Sequence, residues 1–221
     1  GIVLSAMGTD YYPRLSAVAK DNSKSKEMIN QQAEISILIL SPILMLFIVF
    51  INYIILLLYS SAFLAIKEMI LWAAIGMFFK AASWSVGFII LARGESKVFF
   101  WNELIANIYI LILNIIGFKY GNLEGLGISF TVGYIIYLIQ VFLLAKYKYE
   151  FKFFKPFLTL FLIQLVLGVI CFILARNFSG YIHYAFGTII IIISVLYSYI
   201  ELNKRLNIKS IFFSIKNRYF N

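Results

Sequence analysis

A single cation, Lys80, stands halfway along residues 70–90, an apolar stretch that makes roughly 31 Å of helix at 1.5 Å per residue. In hydrocarbon an ammonium at that depth costs about 2.5–3.5 kcal/mol on insertion scales, and it cannot easily snorkel to either surface. Gly76, Ser83, Trp84 and Gly87 lie at helical spacing from Lys80 and share its face. Small and polar residues around a cation, beside an indole, are the chemistry of a cavity wall that attracts an anionic group. The alternative is a lysine paired with a carboxylate of a neighbouring helix, with glycines permitting close packing.

A second stripe follows. Glu103, Asn107 and Asn114 fall at i, i+4 and i+11, within roughly 40° of one another on a helix. It either lines the same cavity or hydrogen-bonds across a packed interface. Glu103 can pair with Lys80, or carry a coupling proton if burial raises its pKa. Substrate contacts are thus expected at Lys80, Ser83, Trp84, Glu103, Asn107 and Asn114. Asn52, Gln140 and Gln164 are single amides and read as glue between helices. Lys67 and Glu68, being adjacent, point apart and read as an anchor. No catalytic set is present: no His/Ser/Asp group, no HExxH, no phosphate-cradling glycine loop. His183 is the one histidine and Cys171 the one cysteine, so neither a metal centre nor a disulfide framework is expected. No enzyme activity, metal or cofactor is therefore anticipated.

The elements that must hold these stripes are set by the solvent. Hydrophobic residues make up 62% of the 221 and charged residues 13%, and the mean hydropathy is +0.92. A soluble domain carries roughly 45–50% apolar and about 25% charged residues. The excess demands lipid, and the expected fold is an all-α integral membrane protein. Six runs approach the ~20 apolar residues that one crossing needs: 35–58, 62–92, 98–118, 126–145, 157–175 and 181–200. The second exceeds one crossing, so its start is expected along the interface. Fifteen Lys and Arg fall in 10–30, 93–97, 146–155 and the tail after 200, against Lys119 and Arg176 in the intervening connections. By the positive-inside rule the first group, including the C-terminus, is cytoplasmic. Anionic headgroups account for the net charge of +9 without nucleic acid.

The chain opens on GIVLSAMG, read as the tail of an earlier helix, and no signal peptide is evident. In the following TDYYPRLS, Pro13 is expected to stop that helix. Tyr11 and Tyr12 are expected at the headgroup level, and Asp10 and Arg14 straddle the proline without forming a helical pair. Pro42 is expected to kink the next span. NQQAE, residues 30–34, is expected to cap that span or to form a polar cavity mouth. GNLEGLG, residues 121–127, is expected as a loop on the far side.

These landmarks resemble a known family. TDYYPRLSA, NQQAEI, Pro42, LYSSAF, GMFFKAASWSVGFIILARG and GNLEGLGISF, in that order, are similar to the C-terminal part of O-antigen translocases. These are lipid-linked oligosaccharide flippases of the multidrug/oligosaccharidyl-lipid/polysaccharide superfamily. The resemblance implies two six-helix lobes, in many members with a trailing helix pair. On that map residues 1–145 are the end of helix 8 and helices 9–12 of the second lobe. Residues 146–221 are the trailing pair and a basic cytoplasmic tail, and the first lobe is missing. It also implies a bacterial inner-membrane location and passage of undecaprenyl-pyrophosphate-linked sugars from the cytoplasmic to the periplasmic leaflet. The partners so implied are that lipid-linked oligosaccharide, the bilayer and the missing lobe. Lys80 is then the natural holder of the pyrophosphate. Two other readings remain: a drug/cation antiporter of the same superfamily with Glu103 as its main charge, and a membrane polymerase or acyltransferase of polysaccharide assembly.

Overall fold

The computed structural model describes residues 2–178 and 180–206; Lys209, Lys216 and Arg218 of the basic tail lie outside them. Among the described residues seven α-helices follow one another: α1 Ile2–Val18, α2 Asn22–Val49, α3 Ile51–Leu58, α4 Lys67–Ala92, α5 Ser96–Tyr149, α6 Lys155–Asn177 and α7 Tyr181–Leu206. A 3₁₀ turn, Ser61–Ile66, precedes α4, and there is no strand among the described residues. Five of these segments are long and apolar enough to cross a membrane. The protein is an all-α, multi-pass membrane protein.

The 54 residues of α5 would measure about 81 Å if straight, far more than a bilayer. They fold back at Asn122, whose φ of 48° and ψ of −132° leave the helical region. Ser129 Oγ donates to Leu113 O at 2.7 Å and Gln140 Nε2 to Asn102 O at 2.9 Å, so the two arms run antiparallel. The runs 98–118 and 126–145 are thus arms of one hairpin. GNLEGLG is not a loop but a tight reversal with helix on both sides. Asparagine tolerates a positive φ better than most residues. Gly117 and Gly125 let the arms meet backbone to backbone, since a Cβ on Gly125 would lie 2.6 Å from the Gly117 carbonyl carbon.

Three local expectations about the first helices are corrected. The helix α1 runs straight through Pro13 to Val18, although an interior proline typically costs about 3 kcal/mol. Tertiary packing outweighs that penalty: Leu15 is fully buried and Tyr11 is 2% exposed. The Tyr11 hydroxyl donates to Ser85 O at 2.7 Å, and its ring packs on Trp84 and Phe88. Tyr11 is therefore a core residue rather than a headgroup anchor. Because the helix persists, Arg14 and Asp10 do pair, at 3.0 Å. Tyr11→Phe should lower stability by about 0.5–1.5 kcal/mol in detergent unfolding, the worth of one hydrogen bond.

The next helix, α2, begins at Asn22, well before the apolar run, because Asp21 caps it. The carboxylate accepts from the Lys24 and Ser23 N–H groups at 3.1 and 3.0 Å. Those backbone bonds, Lys24's foremost, hold the Asp21 carboxyl below its ordinary pKa. A lowered folded-state pKa gives stability that is present above the unfolded-state pKa and lost as pH falls through the folded one. Protection of the Ser23 and Lys24 amides should therefore fall on acidification, and Asp21→Ala should abolish that pH dependence. The helix continues past Pro42 and breaks at Phe50 (φ −101°, ψ 18°). NQQAE lies inside it and forms neither cap nor mouth: Asn30 bonds Lys152 O and Phe154 N, and Glu34 pairs with Arg205.

The helix α4 is the hub. Its Leu71, Phe78 and Ala82 pack with Ile37, Leu38 and Met45 of α2 and Phe157, Leu160 and Cys171 of α6. Its Val86 and Ile89 pack with Tyr11 and Leu15 of α1 and with Val141 and Ala145 of α5. Polar ties gather at the two ends of the bundle. At one end lie Arg93–Asn22, Lys148–Glu95, Asn30–Lys152 and Arg205–Glu34. At the other, Arg176 pairs with Glu124 at 2.7 Å and approaches Glu68 at 3.8 Å, while Lys67 donates to Ala175 O. Lys67 and Glu68 thus each tie α4 to α6. The basic segments around 10–30, 93–97 and 146–155 share the first end, so the charge asymmetry of the sequence is an asymmetry of the molecule. As expected of glue, Gln164 bonds Ser194 and Ser198 across α6 and α7, and Gln140 bonds Asn102.

Candidate functional site

A pocket of about 280 Å³ opens between α4 and both arms of α5. Lys80 lies at the midpoint of α4 and lines it with Ser83, Trp84 and Gly87; the first arm contributes Glu103 and Asn107, the second Tyr134 and Tyr137. Helical spacing thus brings five of the six expected residues together. The sixth, Asn114, lies two turns beyond Asn107 on the same arm and is not among the lining residues. Gly76 also leaves the stripe: its face meets the hairpin, where a Cβ would fall 2.6 Å from the Phe130 ring.

Lys80 is half-buried and forms no ion pair among the described residues. Its Nζ lies 4.8 Å from the Tyr134 ring centroid and 5.6 Å from that of Phe130. Two aromatic faces support the charge without consuming its three N–H donors. Pairing with a neighbouring carboxylate, the alternative for this lysine, is not what the structure holds.

The obvious carboxylate is occupied elsewhere. Glu103 Oε1 accepts from Tyr137 Oη at 2.5 Å and from Asn102 Nδ2 at 2.9 Å. Asn102 is buried, and its Oδ1 and backbone carbonyl both accept from Gln140 Nε2, at 2.8 and 2.9 Å. Asn107 is exposed and its Nδ2 donates to Glu103 O at 2.8 Å, leaving the amide oxygen available. Ser83 is fully buried and its hydroxyl donates to Lys80 O, so it shapes the wall rather than offering a donor. Trp84 also borders a shallower depression shared with Ser5, Gly8 and Thr9 of α1.

The aromatic wall of Phe88, Phe99, Tyr134 and Tyr137 was missed from the sequence. Phe130, Tyr134 and Tyr137 recur at i, i+4 and i+7, a helical stripe that was there to be seen. The site can hold an anion against one ammonium, hydrogen-bond polar groups through Asn107 and Glu103, and stack flat apolar surface on its rings.

Fold and pocket define a class: a multi-pass α-helical membrane protein with a charged, aromatic-walled pocket at the middle of an apolar helix. No family model, curated protein or solved structure matches this chain.

Proposed function

We propose that the protein takes part in moving a lipid-linked oligosaccharide, an isoprenoid pyrophosphate bearing sugars, across the bacterial inner membrane from the cytoplasmic to the periplasmic leaflet. The observation that carries this reading is the Lys80 ammonium, without an ion pair among the described residues, inside a pocket at mid-helix. Buried charge in a membrane marks function more often than architecture. Moving a diphosphate headgroup unaided through hydrocarbon costs many kcal/mol. A cation in a wet cleft removes much of that cost, while the isoprenoid tail stays in lipid. On this reading residues 98–118 and 126–145 are separate crossings, making six in all. Residues 1–145 belong to the second lobe of a two-lobe transporter, 146–221 form its trailing pair and tail, and the basic end is cytoplasmic. Rocking of the lobes about the pocket supplies alternating access.

Glu103 lines the same pocket and supports a second reading, a cation or drug antiporter. Binding to the 221-residue chain in nanodiscs separates the two. Farnesyl pyrophosphate should bind more tightly than farnesol, and Glu103→Gln should leave that preference intact. Preferential binding of tetraphenylphosphonium, lost in Glu103→Gln, would overturn the flippase reading in favour of the antiporter.

A further inference from the structure

A base and an acid, Lys80 and Glu103, line one small pocket and do not touch. Opposite charges in a low-dielectric cleft attract strongly, yet the Glu103 carboxylate is engaged by Tyr137 and Asn102 instead. We propose that Tyr137, braced by the Asn102–Gln140 pair, is a positioning residue that keeps Glu103 from neutralising Lys80. This rests on the reading of the pocket as an anion site.

Three observations carry it. Both hydrogen bonds to Glu103 fall on the same oxygen and come from different arms of the hairpin, Asn102 on the first and Tyr137 on the second. The donors are themselves constrained. Asn102 is buried and its carbonyl oxygen is held by Gln140, which fixes its NH₂ group toward Glu103; the Tyr137 ring abuts Tyr134 at 90°. Lys80 is restrained from its own side, its ammonium resting on Tyr134 and Phe130. Charge-assisted hydrogen bonds are roughly twice as strong as neutral ones, so the clamp offers the carboxylate a local alternative to the ion pair. Remove the Tyr137 hydroxyl and Glu103 turns to Lys80; the pocket then carries an internal salt bridge where an anion would sit.

Tyr137→Phe in the 221-residue chain tests this with two readouts. Inorganic pyrophosphate should bind about tenfold more weakly, within the range of coupling between contacting residues. A carbodiimide should also form a Lys80–Glu103 amide, detected by mass spectrometry and absent from the wild type, because this reagent joins only touching acid–amine pairs. Adding Glu103→Gln to Tyr137→Phe should restore pyrophosphate affinity to within about threefold of Glu103→Gln alone, since a neutral amide cannot quench the ammonium. Gln140→Leu, which loosens the brace from behind, should yield the same cross-link if Tyr137→Phe fails to fold. Wild-type affinity in Tyr137→Phe with no cross-link, or a double variant as weak as Tyr137→Phe, overturns the proposal. Should the wild type bind no pyrophosphate, the anion-site reading falls on its own. The cross-link then decides the clamp, upholding it by appearing and refuting it by staying absent.

Discussion

Lys80→Gln is expected to weaken farnesyl pyrophosphate binding by at least tenfold, whereas Lys80→Arg should stay within a few-fold of wild type. The arithmetic is that of one charge. A hydrogen bond to a charged group contributes about 1.5–3 kcal/mol, and each 1.4 kcal/mol is a factor of ten in affinity. Among the described residues no other Lys or Arg lines the pocket, so none of them compensates. Glutamine keeps much of the length and the donor capacity but loses the charge, which isolates electrostatics from shape. Arginine keeps the charge and can still rest on Tyr134 and Phe130, since guanidinium stacks readily on rings. Calorimetry in nanodiscs checks both. Equal affinity in Lys80→Gln would remove the lysine from the site.

The second large effect is structural. Gly125→Val should destabilise the protein by about 3 kcal/mol or more, at the upper end of overpacking costs. At Gly125 the added side chain meets backbone, the Gly117 carbonyl, which cannot rotate aside. The arms must separate there, and the wall that places Glu103 opposite Tyr137 shifts with them. Farnesyl pyrophosphate binding should therefore fall together with the unfolding midpoint. Gly121→Ala is the control: nothing lies within 4 Å of a Cβ at that position, so its effect should stay within about 0.5 kcal/mol. Unfolding in a single detergent compares the two, and a stable Gly125→Val would contradict the close approach of the arms.

What was legible in the sequence divides along a physical line. Apolar helices were legible because hydrocarbon demands continuous apolar runs of a set length. The runs 98–118 and 126–145 fall in the hairpin arms, and 157–175 and 181–200 in α6 and α7. By contrast, 35–58 is broken at Phe50 between α2 and α3, and 62–92 opens on the 3₁₀ turn before α4. The pocket was legible because helical spacing turns sequence distance into a shared face: Lys80, Ser83 and Trp84 follow from it, as do Glu103 and Asn107. Spacing gives the face but not the depth, so Asn114 shares the stripe yet misses the pocket. Nor does it say which neighbour covers each part of a face, and Gly76 meets Phe130 instead of the cavity. Pro13 was misjudged because a local rule about the backbone lost to the burial of Tyr11 and Leu15 against other helices. Asn30 and Glu34 were misjudged for a similar reason. A polar residue on an apolar helix needs a partner, and only the tertiary fold reveals that Phe154 and Arg205 supply it. The hairpin reversal at Asn122 was hidden because a sharp turn between two helices shares its glycine- and asparagine-rich composition with an ordinary loop.

Anion binding in the pocket requires the Lys80 ammonium to be open to water and free of any carboxylate. Its reactivity toward a water-soluble acylating reagent, read at the Lys80 peptide by mass spectrometry, tests this directly in nanodiscs. Modification in the free protein, with protection by pyrophosphate, is the result predicted here. A Lys80 that stays unmodified under conditions that label the surface lysines, with or without pyrophosphate, would contradict it.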